Sequence, residues 1–229
     1  MPTVDGRLLR GERARAATLH AAVALATESG LDGLSFSQLA ERAGVSKSGL
    51  FAHWSTKEEL QLAAIAYAEQ RFAEVVVRPA LRAPRGIRRL WALHESRLAD
   101  LAGGALPGGC FFSNAQFEFA ARPGSVRDAL GAVLADWHAL LERLIAEAVE
   151  LGELRDDVPV GQLAFELNAF GTAAVYESRL FDAETIYRHA RLAALQRLRG
   201  LTPAPDLLPT PDLLPTLDHF PAPDLLPEA

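Results

Sequence analysis

The sequence predicts an all-α fold, and three observations carry that expectation. Apolar residues recur at three- and four-residue spacing along most of the 229 residues. No stretch alternates convincingly as a half-buried strand would. Residues that start helices (Ser, Thr) and residues that end them (Gly, Pro) bracket the periodic segments. Hydrophobic residues make up 49% of the chain and charged residues 23%, enough apolar material for a sizeable core at an ordinary globular charge density. No apolar run reaches the ~18 residues of a membrane span. The N-terminal MPTVDGRLLRGERARAA lacks the apolar segment of a secretory signal. A cytoplasmic protein without membrane contact is the expectation.

The first helix spans 13–29, alanine-rich, with Leu19, Val23 and Ala26 at core spacing and Gly30 at its end. The second begins at Ser35, where Ser35 and Gln38 read as a capping box, and carries Leu39, Ala40 and Ala43 on one face. Gly44 supplies a sharp turn, since glycine takes positive φ without steric cost. Val45 is the apolar residue expected to plug the angle between the helices. Ser46 caps a third helix that opens with Lys47, Ser48 and Gly49. Helix, glycine turn and helix in this order form a helix-turn-helix, whose second helix sets its first residues against base edges in the major groove of DNA. The fourth helix starts at Ser55 or Thr56, with Ser55 and Glu58 as a second capping box. It runs through Leu60, Ala63, Ala64 and Tyr67 towards Val77, and Pro79 marks a break.

This stretch resembles the TetR family of bacterial transcriptional regulators. The resemblance rests on L-A-x-x-A-G-V-S-K at 39–47, the aromatic pair Phe51 and Trp54, and S-T-K-E-E-L at 55–60, within a match from Arg13 to about Tyr67. Phe51 and Trp54 stand where family members usually carry tyrosine and phenylalanine. The resemblance implies an N-terminal three-helix helix-turn-helix DNA-binding domain over 10–70. It implies a C-terminal helical ligand-binding and dimerisation domain over 71–200, and a homodimeric repressor on a palindromic operator in double-stranded DNA.

The residues that would touch DNA follow from chemistry and from that resemblance. Lys47 can reach guanine O6/N7 or a phosphate. Ser46 and Ser48 can donate to phosphates or bases, and Gly49 lets the helix backbone approach the groove. Phe51 has no phenol to donate; it packs on a thymine methyl or belongs to the core. His53 falls where several relatives place a phosphate-contacting residue. Trp54 reads as core between the third and first helices. Lys57 adds a point charge to the first turn of the fourth helix. Ser35, Ser37 and Gln38 would hold the opposite phosphate strand, and the N-terminal arginines would reach the adjacent minor groove or phosphates.

Beyond Gly86 the periodicity stays helical: 86–101, a short aromatic helix at 110–120 after the glycine-rich GGALPGG (103–109), a long helix at 125–151, and two last helices at 160–178 and 183–199. Two half-sites about 34 Å apart require a dimer. In the resembling family the last two helices pair with their copies. Leu163, Leu167, Phe170 and Ala174, with Leu192 and Leu195, are the matching apolar stripes; burial within one subunit competes for the same residues. Related regulators hold a small-molecule pocket between central helices and release DNA when it fills. Trp91, His94, Cys110, Phe112, Phe117, Trp137, Phe165 and Asn168 would line one suited to a hydrophobic effector.

Residues 201–229 form a Pro-rich, acidic, low-complexity tail in which PDLLP occurs three times, at 205–209, 211–215 and 223–227. Proline this dense excludes a helix and predicts an extended or disordered segment. The net charge of −6 is adverse for a DNA binder, but the tail after Gly200 holds five acidic residues and no Lys or Arg. The first fifteen residues set four arginines against Asp5 and Glu12. One cysteine and six unpaired histidines suggest no metal site, and no cofactor is expected. The alternative is an all-helical enzyme or hydrophobic-ligand carrier without DNA binding. No nucleophile–base grouping, paired carboxylates or phosphate loop supports an enzyme.

Overall fold

The computed structural model describes residues 6–214. Every regular element among them is helical: α1 (Gly6–Ser29), α2 (Phe36–Ala43), α3 (Lys47–Phe51), α4 (Lys57–Phe72), a π turn (Ala73–Val77), α5 (Arg78–Leu81), α6 (Ile87–Ala102), α7 (Phe111–Phe119), α8 (Ser125–Glu150), α9 (Val160–Glu177) and α10 (Ala183–Arg199). The chain divides into two compact units. One is Met1–Arg71 with Leu106–Ala132; the other is Phe72–Ala105 with Val133–Ala229. Residues 106–132, which lie within the span 71–200 expected for the C-terminal domain, cluster in the structure with the N-terminal helices.

In the first unit Leu19, Val23 and Ala26 of α1 are buried with Leu31, Leu34, Leu39, Leu50, Trp54 and Leu60. The helix α1 begins well before residue 13, so Arg13 and Arg15 sit on its exposed early turns rather than on a loose arm. The segment 106–119 docks on the end of α1 through polar groups. The Gly108 amide donates to Thr27 Oγ1 at 3.0 Å, and Asn114 Nδ2 donates to Gly108 O at 2.9 Å and Thr27 O at 3.4 Å. A Cβ on Gly108 would lie 1.7 Å from Thr27 O, so the close approach of two backbones requires glycine there.

In the second unit, leucines and alanines of α6, α8, α9 and α10 form one core that includes Leu90, Leu93, Leu141, Ile145, Leu163, Leu167, Leu195 and Leu198. A buried bidentate ion pair joins α10 to α6: Arg191 Nε and Nη2 donate to the Glu95 carboxylate at 2.8 and 2.6 Å. Beside it, His94 Nε2 donates to Ala190 O at 3.3 Å, which places the proton on Nε2. Pro79 does not stop the helical path where the sequence suggests. The path stays helical from Lys57 to Leu81, and Pro79 follows directly on the π turn, whose wider winding makes room for a residue that clashes with and cannot donate to the preceding turn.

The tail departs most from expectation. Residues 201–214 are ordered into two short 3-10 turns, Pro205–Leu207 and Pro211–Leu213. Leu201 and Leu208 are buried in the second unit's core, and Leu207 and Leu214 pack against it. Arg199 Nη1 donates to the carbonyls of Pro205 and Pro209, both at 3.0 Å. Proline density forbids a helix there but not a strap whose leucines find an apolar seat. The third PDLLP, 223–227, lies outside the described residues.

Candidate nucleic-acid interface

Local chemistry builds the turn between α2 and α3. Ser35 Oγ caps α2 by accepting from the Gln38 amide at 3.3 Å and donates to Gln38 Oε1 at 2.8 Å. At the other end Gly44 has φ 65°. Its amide bonds Glu41 O at 3.3 Å while the Val45 amide bonds Ala40 O at 3.0 Å. That pair of bonds is a Schellman motif. It turns Val45 outward to 38% exposure, so Val45 does not plug the interhelical angle; Leu39 and Leu50 are the buried residues of α2 and α3. Ser46 Oγ caps α3 through the Gly49 amide at 3.1 Å. The fourth helix uses a box one residue later than the sequence reading placed it. Thr56 Oγ1 accepts from the Glu59 amide at 3.1 Å, and Glu59 Oε2 accepts from the Ser55 amide at 2.6 Å. Glu58 accepts instead from Ser125 Oγ.

Of the ten residues named for DNA contact, Ser37, Gln38, Ser46, Lys47, Ser48, Gly49, Phe51, His53 and Lys57 are exposed and Ser35 is half-buried. Lys47 opens α3, and its Nζ donates to Ser37 Oγ at 3.1 Å, which joins the two helices of the motif across their exposed side. Phe51 is not core: it is 45% exposed and stacks on Phe36 with ring centroids 4.4 Å apart. Trp54 is buried, with the Arg15 guanidinium 5.6 Å over its ring. Gly49 has a second, internal use, since a Cβ there would come within 3.1 Å of the capping Ser46 Oγ.

A carboxylate that sequence reasoning missed organises the edge of this surface. Asp32, in the α1–α2 loop, accepts from Arg122 Nη1 at 2.7 Å and from Lys57 Nζ at 3.1 Å. Lys57 also donates to the Asp32 carbonyl. These partners, Arg122 first, hold the Asp32 carboxyl below its ordinary range. The same loop is gripped by Glu118 of α7, whose carboxylate accepts from the Leu31 amide at 2.7 Å and the Asp32 amide at 3.1 Å. Gln61 of α4 donates to Leu31 O at 3.0 Å. Arg122 is 90 residues from Asp32, so no local pattern announces the pair.

The residues named for an effector fall in both units. Cys110, Phe112 and Phe117 belong to the first. Cys110 Sγ caps α7 through the Ser113 amide at 3.5 Å, and Phe117 is 67% exposed. In the second unit Trp137 Nε1 donates to Asn168 Oδ1 at 3.0 Å, and Arg97 Nη1 donates to the same oxygen at 3.1 Å while its guanidinium lies 5.5 Å over the Trp137 ring. The Trp91 and His94 rings are 6.0 Å apart, and His94 is buried against α10 rather than turned to an open space. Phe165 is 61% exposed and lines nothing internal. The residues named for dimerisation divide by burial. Leu163, Leu167, Ala174 and Leu195 are buried inside the unit because α9 packs on α6 and α10 through that face. Phe170 and Leu192 keep partial exposure, and Phe165, Leu180 and Phe181 are the large apolar side chains that α9 and the following loop leave outside.

Comparison with known proteins bears on both halves. The family described as bacterial regulatory proteins, tetR family, matches residues 19–64, and a second, described as tetracyclin repressor-like, C-terminal domain, matches residues 86–194. No curated protein matches. The fold is similar to that of a TetR transcriptional regulator from Chloroflexus aurantiacus, at 24% identity and TM-score 0.78, over 84% of this chain and 98% of that one. It is also similar to a TetR-family regulator from Cytophaga hutchinsonii, at 20% identity and TM-score 0.76, over 85% and 97% of the two chains. A third similar structure is AibR in complex with isovaleryl coenzyme A and operator DNA, at 22% identity and TM-score 0.63, over 83% and 98%. No described helix is long and apolar enough to cross a membrane.

Proposed function

We infer the function from the premise that this chain belongs to the TetR family of bacterial transcriptional regulators. It acts as a homodimeric repressor that binds a palindromic operator and lets go when a small hydrophobic effector binds. One observation carries the DNA-binding part: a Schellman turn and two serine caps orient α2 and α3 so that Lys47, Ser48, Gly49 and Phe51 stand together on an exposed face, braced by Ser37. Nothing in the core needs that face. Lys47 reads a guanine edge or a phosphate, Phe51 offers an apolar ring to a thymine methyl, and Lys57 and His53 take phosphates at the rim.

The dimer forms through the outward face of α9 and the loop after it, with Phe165, Phe170, Leu180 and Phe181, and through Leu192 of α10. An exposed apolar set of this size on one helix and its loop is the mark of an interface. The effector binds in the second unit against α6, α8 and α9, near Trp137, Asn168 and Arg97. The similar structure that holds both a coenzyme A thioester and operator DNA supports a chain of this fold serving both ligands. Binding need favour the DNA-incompetent state by only ~3 kcal/mol to weaken operator affinity more than a hundredfold.

The test is selection of genomic fragments by the purified protein, followed by fluorescence anisotropy on the selected duplex. Saturable binding of two protomers to an inverted repeat, steeply salt-dependent, is the expected result. Failure of any fragment to enrich removes the reading.

A further inference from the structure

The tail contains one heptapeptide twice. PAPDLLP stands at 203–209 and again, letter for letter, at 221–227; the middle copy, PTPDLLP at 209–215, has Thr210 in place of the alanine and shares Pro209 with the first. The first copy is seated. Leu208 is 5% exposed and Leu207 packs on the same core. Its turn closes by the Leu207 amide on Ala204 O and the Leu208 amide on Pro205 O, both at 3.1 Å. Arg199 Nη1 secures it from below through the carbonyls of Pro205, Leu208 and Pro209, at 3.0, 3.4 and 3.0 Å.

We propose that the groove beside Arg199 is a receptor for the heptapeptide PAPDLLP, and that residues 221–227 of the same chain are its second occupant, exchanging with 203–209. Every group by which the seated copy meets the core and Arg199 recurs in the other; only the Thr202 hydroxyl, which accepts from the Ala204 amide at 3.0 Å, has no counterpart, since Phe220 stands there. The two leucines become Leu225 and Leu226, the turn acceptors become Ala222 and Pro223, and the carbonyls for Arg199 come from Pro223, Leu226 and Pro227. Two of those acceptors, Pro223 and Pro227, belong to prolines, whose rings already fix φ, so little ordering is needed on docking. The middle copy is not the rival, because Leu214 already packs on the core in a place of its own.

The tether decides which copy sits. After α10 ends, three residues (200–202) precede the first heptapeptide and 21 (200–220) precede the second. Loop closure over the longer tether lowers the effective concentration on the order of tenfold to twentyfold. The near copy therefore holds the seat in the intact chain, as the structure shows it. Any change that weakens the near copy by more than that ratio hands the seat to the far one. The groove then stays filled while the intervening residues loop out.

Amide hydrogen exchange on the full-length chain tests this. In Leu208→Asp the amides of Leu225 and Leu226 are expected to exchange several-fold more slowly than in Leu208→Asp combined with Leu226→Asp. Arg199→Ala, which keeps both heptapeptides, should speed exchange of the near copy, and added to Leu208→Asp it should speed exchange of the far one. Equal exchange of 221–227 in the single and double variants, with α9 and α10 still protected, overturns the proposal. Protection that rises with protein concentration overturns the same-chain assignment, since the occupant is then a neighbouring molecule's tail. Should Leu208→Asp fail to fold, Leu208→Ala supports the same comparison.

Discussion

Replacing Lys47 by alanine separates DNA contact from folding, because the structure gives this side chain almost nothing to hold up. It is exposed and donates one hydrogen bond, to Ser37 Oγ at 3.1 Å, also at the surface. Its loss should change the unfolding free energy by no more than about 0.5 kcal/mol. On DNA the arithmetic differs. If each protomer of a dimer neutralises one phosphate with Lys47, two phosphates are lost, and the slope of log K against log salt becomes shallower by about 1.8. Across a fourfold salt change that is roughly a twelvefold difference in how far affinity falls. If Lys47 instead reads a guanine, the slope barely moves on non-specific duplex, and the operator alone loses about 1–3 kcal/mol per half-site. Anisotropy titrations on operator and scrambled duplex, from about 50 to 200 mM salt, distinguish the two. Unchanged slope and unchanged affinity on both duplexes would refute the reasoning that sets the start of α3 in the groove.

Asp32→Ala should release Lys57 from the carboxylate it shares with Arg122; with Lys57 alone reaching a phosphate, the operator salt slope steepens by about 1.8 for a dimer, and adding Lys57→Ala should reverse the gain. Burial first, and then Arg97, pushes the His94 imidazole down to about 3 from its ordinary 6.5. The folded state thus favours neutral His94: this stability is full above pH 6.5, declines as pH falls below it, and is gone by about 3. Urea unfolding at about pH 7 and pH 5 should therefore show the parent losing about 2 kcal/mol more than His94→Gln, which keeps a donor for Ala190 O. Glu95→Ala leaves the Arg191 guanidinium buried without its carboxylate and should cost about 3–5 kcal/mol in the same assay.

What was legible in the sequence was local. The caps at Ser35 and Ser46, the positive-φ turn at Gly44, and the core stripe Leu19–Val23–Ala26 are matters of a few consecutive bonds, and the chain writes them out. The family followed from the same short motif. Local reading also erred by small steps where two residues compete for one role, as Ser55 and Thr56 do for the fourth cap, or where a turn aims a side chain outward, as at Val45.

Only the tertiary structure decided which face of a helix meets which neighbour. Leu163 and Phe165 of α9 look alike as apolar residues, yet one is buried and the other lies outside, because α6 and α10 approach α9 from one direction. Periodicity shows that a helix has an apolar stripe; it does not say whether another helix of the same chain or of a second copy will cover it. Asp32 drew two cations from 25 and 90 residues away, and the tail found a seat that its proline content alone would deny it. Such pairings depend on where distant segments are brought in space, and that is set by the sum of packing over the whole core rather than by any residue's own preference.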